Sequence, residues 1–577
     1  MTPPPGGLGH KPTTAFPTAS RLWNKAFSAT FLLGAVVSIG LVTSLGIFPA
    51  VFAGIVVSGD GFGGNSGSYL DSEVVETIFA ALRFSISQAA ASATAAVALA
   101  LVAARAIFFC PSPLGRALLW CAQIPFGLPS LVIVFAFVLV FGNQGLLNQW
   151  VAADGEPISF IYNYWGIVHA HVYFNLGFCL RQMLLGLGRI PIQHWWGGAA
   201  LGLSSGVRFR NIEWPVLRPV IINLWLIVFG LCMTSFAIVL VLGGSPAFTS
   251  LEVLIYQFVK YDLNYSAAMV AAAAQFIALA SITLLTSAFS DKDSRLQTNF
   301  GTGANLNLSR VFRMGRTRLF LSHFLVLIFL IWAAVPILAL WIESLGNFSK
   351  VSGDFVSRSL LPSLLTSVQV ALPAALLGTT MGVTLAQVAV RGSQSGWVGG
   401  LGSKGSRFSV PMWVWQFLSI GLIALSPTLL GLFWHVTLGH AGLSPYDHAF
   451  ISVISVQAIM FVPLSFRMIW IPLRIKFPNW QHTYQSLGLP LGQQALFIEW
   501  TALKGVVASV FLINFSFSMG EVAAPALFGS EHFRPLSLLL LESVAAYRFE
   551  EASAVTLVLL GVVQASYFFG SRGNHRA

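Results

Sequence analysis

Apolar residues fall in long, nearly unbroken runs separated by short polar stretches, the pattern of membrane spans. About 20 consecutive apolar residues suffice for a helix to cross the hydrocarbon layer. Residues 1–25 are polar and rich in Pro and Gly. The run that follows, from about Ala26 to Val57, is too long for a signal-peptide core and predicts an uncleaved first span. Further spans are predicted at about 77–104, 117–142, 161–186, 219–243 and 266–289, and beyond a polar stretch at 319–342, 362–390, 409–434, 449–473, 505–528 and 552–570. Strands of outer-membrane barrels are short and alternate in polarity; these runs do neither, so helices are expected. The predicted architecture is an all-α polytopic membrane protein of about twelve transmembrane helices, six on each side of the polar stretch.

Composition narrows the class further. The 577 residues are 56% hydrophobic and only 9% charged, against about 25% charged in an ordinary soluble domain, which excludes a water-soluble globular protein. The four cysteines, Cys110, Cys121, Cys179 and Cys232, lie in or beside apolar runs without a C-x-x-C pair and read as buried thiols. Lys and Arg accumulate in cytoplasmic loops, and placing the N-terminus inside puts 25 of the 31 there. Outside remain Lys260, Lys350, Arg358, Arg534 and Arg548, with Arg83 just inside a span, while acids such as Asp60, Asp71, Glu73, Glu76, Asp154 and Glu156 fall on the outer side. Both termini are therefore expected in the cytoplasm. The net charge of +11 follows from topology and implies no nucleic-acid partner.

The two halves resemble one another. Leu201-Gly202-Leu203 pairs with Leu487-Gly488-Leu489, Ile212-Glu213-Trp214 with Ile498-Glu499-Trp500, and Gly243 with Gly529, all at an offset of 286. Both halves carry six predicted spans, so the repeat is parallel, not inverted. The match is best in a cytoplasmic loop between the fourth and fifth spans of each half, where a shared contact surface accounts for what free drift of apolar residues does not.

Those loops resemble the EAA loop of ATP-binding-cassette importer permeases, whose pattern is E-A-A-x3-G-x9-I-x-L-P. The first copy presents Gly202, Ile212, Trp214 and Pro215 at that spacing, and the second presents Gly488, Ile498, Trp500 and Thr501. Trp196-Gly197-Gly198 and His482-Thr483-Tyr484 stand where the family has Glu-Ala-Ala. Two fused six-span halves are typical of the thiamine and ferric-iron permeases. The runs Thr234 to Pro246, Leu251 to Gln257, Ile212 to Arg218 and Met519 to Ser530 look most like the thiamine branch.

The resemblance implies two tandem six-helix type I importer (MetI-like) domains at 26–289 and 319–570, with EAA-like loops at about 190–218 and 476–504. It implies a cytoplasmic linker at 290–318 and cytoplasmic tails at 1–25 and 571–577. The expected function is translocation of a small cationic solute, thiamine or a derivative, across a bacterial inner membrane; ferric iron is the alternative cargo. The expected partners are two copies of a cytoplasmic ATPase, a periplasmic solute-binding protein and membrane lipid. The chain is expected to bind no cofactor and to be no enzyme: it has no G-x4-G-K-[ST] motif, so ATP and Mg belong to the ATPase.

Within that scheme, ATPase docking is expected at Gly198, Ala199, Ala200, Gly202, Ile212 and Pro215 of the first loop, and at Tyr484, Gln485, Ser486, Gly488, Ile498 and Trp500 of the second. Glycine permits a sharp turn with positive φ, and Pro215 suits the first turn of the helix re-entering the membrane. Ionisable groups at membrane depth are costly and point to a pathway, which selects Arg83 and Glu521; Ser235 is the third pathway candidate. Trp165, Tyr173, Trp225 and Tyr256 are aromatic candidates for a cationic ring. His169 and His171 face different sides of one helix, and His435, His440 and His448 are expected in a solvated outer loop, so no metal site is assigned. An ion-coupled secondary transporter is the competing class, but it leaves the matching loops unexplained.

Overall fold

The computed structural model describes residues 71–151, 158–244, 247–290, 315–392, 426–487 and 494–574. The predicted N-terminal tail, the first span at 26–57, most of the linker, most of the span at 409–434, and Gly488 lie outside the described residues. What is described is helical: the first half holds α1 (Ser72–Phe109), α2 (Pro113–Gly127), α3 (Ser130–Phe141), α4 (Leu146–Val151), α5 (Tyr164–Gly188), α6 (Ile192–Ala200), α7 (Ser205–Arg208), α8 (Trp214–Met233), α9 (Ala237–Leu242), α10 (Leu251–Lys260) and α11 (Tyr265–Ser290). The second holds α12 (Arg316–Phe348), α13 (Leu361–Gly392), α14 (Pro427–His440), α15 (Ala449–Leu487), α16 (Trp500–Gly520), α17 (Ala523–Phe528), α18 (Leu536–Ala545) and α19 (Phe549–Asn574). Among the described residues, nine helical stretches are long and apolar enough to cross a membrane. The protein is an all-α polytopic membrane protein.

Three predicted spans are broken where the sequence reading made them continuous. The span at 117–142 divides into α2 and α3 at Leu128-Pro129, because a residue before proline is pushed out of the helical region; Leu128 is extended, with ψ 154°. The span at 219–243 divides at Thr234 to Phe236 into α8 and α9. The span at 505–528 divides at Glu521 and Val522, where the Glu521 carboxylate accepts the Ala523 N–H at 2.7 Å and the Ala524 N–H at 3.2 Å and so caps α17. Two further helices, α10 and α18, lie where outer loops were expected. At ten residues each they are too short to register as spans, yet most of their side chains are buried.

The sequence repeat is also a repeat of elements. Adding 286 to the bounds of α8 and α9 gives the start of α16 and both ends of α17, and α10 falls within one residue of α18 at each end. Close packing within the second half depends on Gly378 and Gly382, a G-x-x-x-G pair on α13. A Cβ on Gly382 would stand 2.3 Å from Ser465 Cβ, and one on Gly378 would stand 2.9 Å from the Ala458 carbonyl oxygen, both on α15. Asn514 of α16 ties the same trio, donating to Thr379 Oγ1 at 2.9 Å and Ser465 Oγ at 2.8 Å.

The halves interlock. Helix α12, the first described element of the second half, packs on α2 and α3 of the first: Tyr173 donates from its hydroxyl to the Ala333 carbonyl at 2.8 Å, and Trp332 donates from Nε1 to His169 Nε2 at 2.8 Å. Its other face carries Phe320, Phe324, Leu327, Ile331, Val335, Leu338, Ile342 and Leu345 exposed, an apolar stripe fit for lipid. The short helices cross over reciprocally, α10 touching α14 and α18 touching α3.

Candidate functional site

Two regions at opposite ends of the bundle combine unusual local structure with chemistry. At one end the chain leaves α5, turns at Pro191, and forms α6, which stops at a left-handed glycine. Gly202 has φ +61°, the Leu203 N–H reaches back to the Gly198 carbonyl at 3.0 Å, and the Gly202 N–H reaches the Ala199 carbonyl at 3.0 Å. This is a Schellman ending, which satisfies the last carbonyls of the helix and reverses the chain. Trp195 is wholly buried, with its ring against Phe108 and Phe109 of α1, whereas Trp196, Leu201, Val207 and Trp214 are exposed.

A buried ion cluster fastens this corner to α1. Glu213, fully buried, accepts from Arg105 Nε at 2.7 Å and from Arg208 Nε at 3.4 Å. The two guanidiniums lie over aromatic faces, Arg208 at 4.3 Å from the Phe109 centroid and Arg105 at 4.8 Å from that of Phe209. A carboxylate taken out of water needs such partners, and here they join the loop to a span. Glu213 belongs to the repeated Ile-Glu-Trp triplet but received no role from the sequence, because Arg105 lies on a distant helix. Its equivalent Glu499 is also buried and accepts from Gln387 Nε2 of α13 at 2.9 Å.

Of the other residues singled out at this end, Gly198 is buried, Ala200 and Gly202 are exposed, and Ala199 and Ile212 are half-buried. Pro215 lies in the first turn of α8. In the second copy Tyr484, Gln485 and Ser486 belong to the end of α15, which runs unbroken where the first copy breaks at Pro191. Ile498 packs beside Leu473, Phe477 and Leu503, and Trp500 is exposed at the start of α16.

At the far end of α8 and α16 the two halves line an open cavity of about 910 Å³. Tyr256, Lys260 and Tyr261 of the first half and Arg534, Glu542 and Tyr547 of the second line it. Arg534 Nε donates to Glu542 Oε2 at 2.6 Å. Lys260 Nζ donates across the halves to the Gly529 carbonyl at 3.0 Å and lies 4.7 Å from the Tyr446 ring centroid. Beneath this layer, fully buried Glu252 at the start of α10 accepts from Gln275 of α11 and from the Thr428 N–H of α14 at 3.5 Å.

The pathway candidates do not converge there. Arg83 is exposed on α1 between Phe79 and Ile86, both exposed. Ser235 and Glu521, equivalent at the offset of 286, occupy the breaks before α9 and α17. Of the four aromatic candidates only Tyr256 lines the cavity: Tyr173 is buried on Ala333, Trp225 donates from Nε1 to Thr94 Oγ1 at 2.9 Å, and Trp165 is exposed. His435, expected in a solvated loop, is buried on α14 with its ring 4.5 Å from that of Phe528. Tyr261, Glu542 and Tyr547 carry no signal of a site in the sequence, because the two short helices that bring them to the cavity read as loops.

Comparison with known proteins adds to this geometry. The model of the binding-protein-dependent transport system inner membrane component family matches residues 77–295. The thiamine transport system permease protein of Haemophilus influenzae is 30% identical over 479 residues, 83% of this chain and 85% of the relative. The chain belongs to the family of these permeases. It is therefore a permease of an ATP-binding-cassette import system, a transport subunit and a multi-pass membrane protein. Thiamine transport system permeases of Escherichia coli and of Brucella abortus are 29% and 28% identical, each match covering 83% of this chain and 86% and 84% of the relative. A probable sulfate transport system permease protein of Prototheca wickerhamii is 27% identical over 171 residues, 29% of this chain and 65% of the relative.

Proposed function

We propose that this permease carries thiamine, or a close derivative, from a periplasmic binding protein to the cytoplasm, driven by ATP hydrolysis on a separate ATPase. The cargo rests on the thiamine permeases matched over 83% of the chain, and the mechanism rests on the geometry. A corner that ends at Gly202, exposes Trp196 and Leu201, and is fastened through Glu213 to α1 suits the transfer of a push from a partner to a span. We assign the ATPase contacts to Gly198, Ala199, Ala200, Gly202, Ile212 and Pro215, and to Tyr484, Gln485, Ser486, Gly488, Ile498 and Trp500. Two such surfaces call for two ATPase subunits. ATP and Mg are bound there and not by this chain, and this end of the bundle faces the cytoplasm with both termini. Arg83, Ser235 and Glu521 border the path; Ser235 and Glu521 do so by marking where the helices break and can hinge.

The test is ATP hydrolysis by the permease and its ATPase reconstituted together in lipid. Binding protein loaded with thiamine is expected to raise the rate several-fold. Equal stimulation by empty binding protein, or stimulation by ferric iron and not by thiamine, contradicts the cargo.

A further inference from the structure

The two halves have diverged where they face each other across the cavity, and the divergence has a chemical sense. Tyr261 and Tyr547 occupy equivalent positions, 286 apart, just beyond the ends of α10 and α18, and both line the cavity and are exposed, 70% and 71%, the Tyr261 ring edge-on to Tyr256 and the Tyr547 ring edge-on to Phe549. One turn earlier the equivalence gives unlike partners: Tyr256 in the first half stands where the second has Glu542. Tyr547 holds φ +56°. There the Tyr547 N–H reaches the Val544 carbonyl at 3.1 Å and the Arg548 N–H reaches that of Ser543 at 2.9 Å, a helix ending that ordinarily uses glycine. A bulky residue kept in that conformation opposes the backbone's preference, and its ring is what the position gains.

We propose that this cavity is a receiving site for an aromatic monocation, with Tyr261 and Tyr547 flanking its rings, buried Tyr256 backing Tyr261 from beneath, and Glu542 taking its positive charge. The proposal rests on the thiamine reading and deepens it, since thiamine joins a cationic thiazolium to an aminopyrimidine. Aromatic faces attract a cation through their quadrupole, and the carboxylate supplies the opposite charge. Of the two basic groups in the lining, Lys260 is drawn aside to the Gly529 carbonyl and the Tyr446 ring. Arg534 pairs with Glu542, so it acts as a resident cation that the cargo must displace.

Equilibrium binding of labelled thiamine to the full-length permease in lipid nanodiscs, without ATPase or binding protein, tests this. Saturable binding is expected; Tyr261→Leu and Tyr547→Leu each weaken it roughly tenfold, and the Phe replacements at both positions retain it. Glu542→Gln weakens it, whereas Arg534→Met tightens it by freeing the carboxylate, an outcome that mere loss of structure cannot produce. No saturable binding by the unaltered protein, unchanged affinity in the Leu and Gln variants, weaker binding in Arg534→Met, or ferric ion competing as strongly as thiamine each overturns the site. Thiamine uptake by the complete system separates the two claims. If uptake occurs and these variants leave it and binding unchanged, the site alone fails; if the complete unaltered system takes up no thiamine, the cargo fails.

Discussion

Gly202 has φ +61° and nothing within 4 Å of where a Cβ would stand, so backbone conformation, not crowding, reserves the position for glycine. Gly202→Val is expected to cost about 1–2 kcal/mol in the corner and to reduce the ATPase that co-purifies with the permease several-fold while the spans stay folded; undiminished co-purification contradicts its assignment to the docking surface. Glu213 makes a different prediction. Glu213→Ala leaves Arg208, only 3% exposed, without its carboxylate, and breaking such a pair costs about 3–5 kcal/mol, so the melting temperature of the permease in detergent should fall by several degrees. Glu213→Gln, which keeps an acceptor, should lose less. The glycine was legible because a left-handed turn demands that residue type. The glutamate's task was not, because its partner Arg105 lies on another helix and no local spacing announces it.

Helix-scale features divide in the same way. Long apolar runs were readable wherever hydrophobicity alone decides, as in α1, α12 and α13. The breaks at Leu128-Pro129, Thr234 to Phe236 and Glu521-Val522 were not read, since a window of apolar residues averages over the one or two positions that end a helix. The G-x-x-x-G pair at Gly378 and Gly382 stands in the sequence, but the helix it packs against does not follow from it. Gly382→Leu should drive α13 from α15 and destabilise the second half by about 1–3 kcal/mol, seen as a lower melting temperature; an unchanged value contradicts the close approach of 2.3 Å. Glu521→Ala removes the acceptor for the first N–H groups of α17 and should cost about 1 kcal/mol; Glu521→Asp should recover part of it.

At the scale of the molecule, the second half begins by packing its first described helix on the first half, and the short helices α10 and α18 reach across to α14 and α3. Severing the chain between residues 291 and 314 and co-expressing the two pieces should therefore yield a complex that purifies together; pieces that separate contradict the interlock. The duplication at 286 was legible in the sequence, and it led to the loops. The cavity was not, because it arises only when two ten-residue helices from distant parts of the chain meet. The most direct test of the whole is uptake of labelled thiamine into proteoliposomes holding the permease and its ATPase, with binding protein outside and ATP trapped inside. Uptake that requires both partners and ATP, and that unlabelled thiamine but not chelated ferric iron competes away, is the expected result; ATP-dependent uptake of iron alone, or thiamine uptake by the permease alone under an ion gradient, contradicts it.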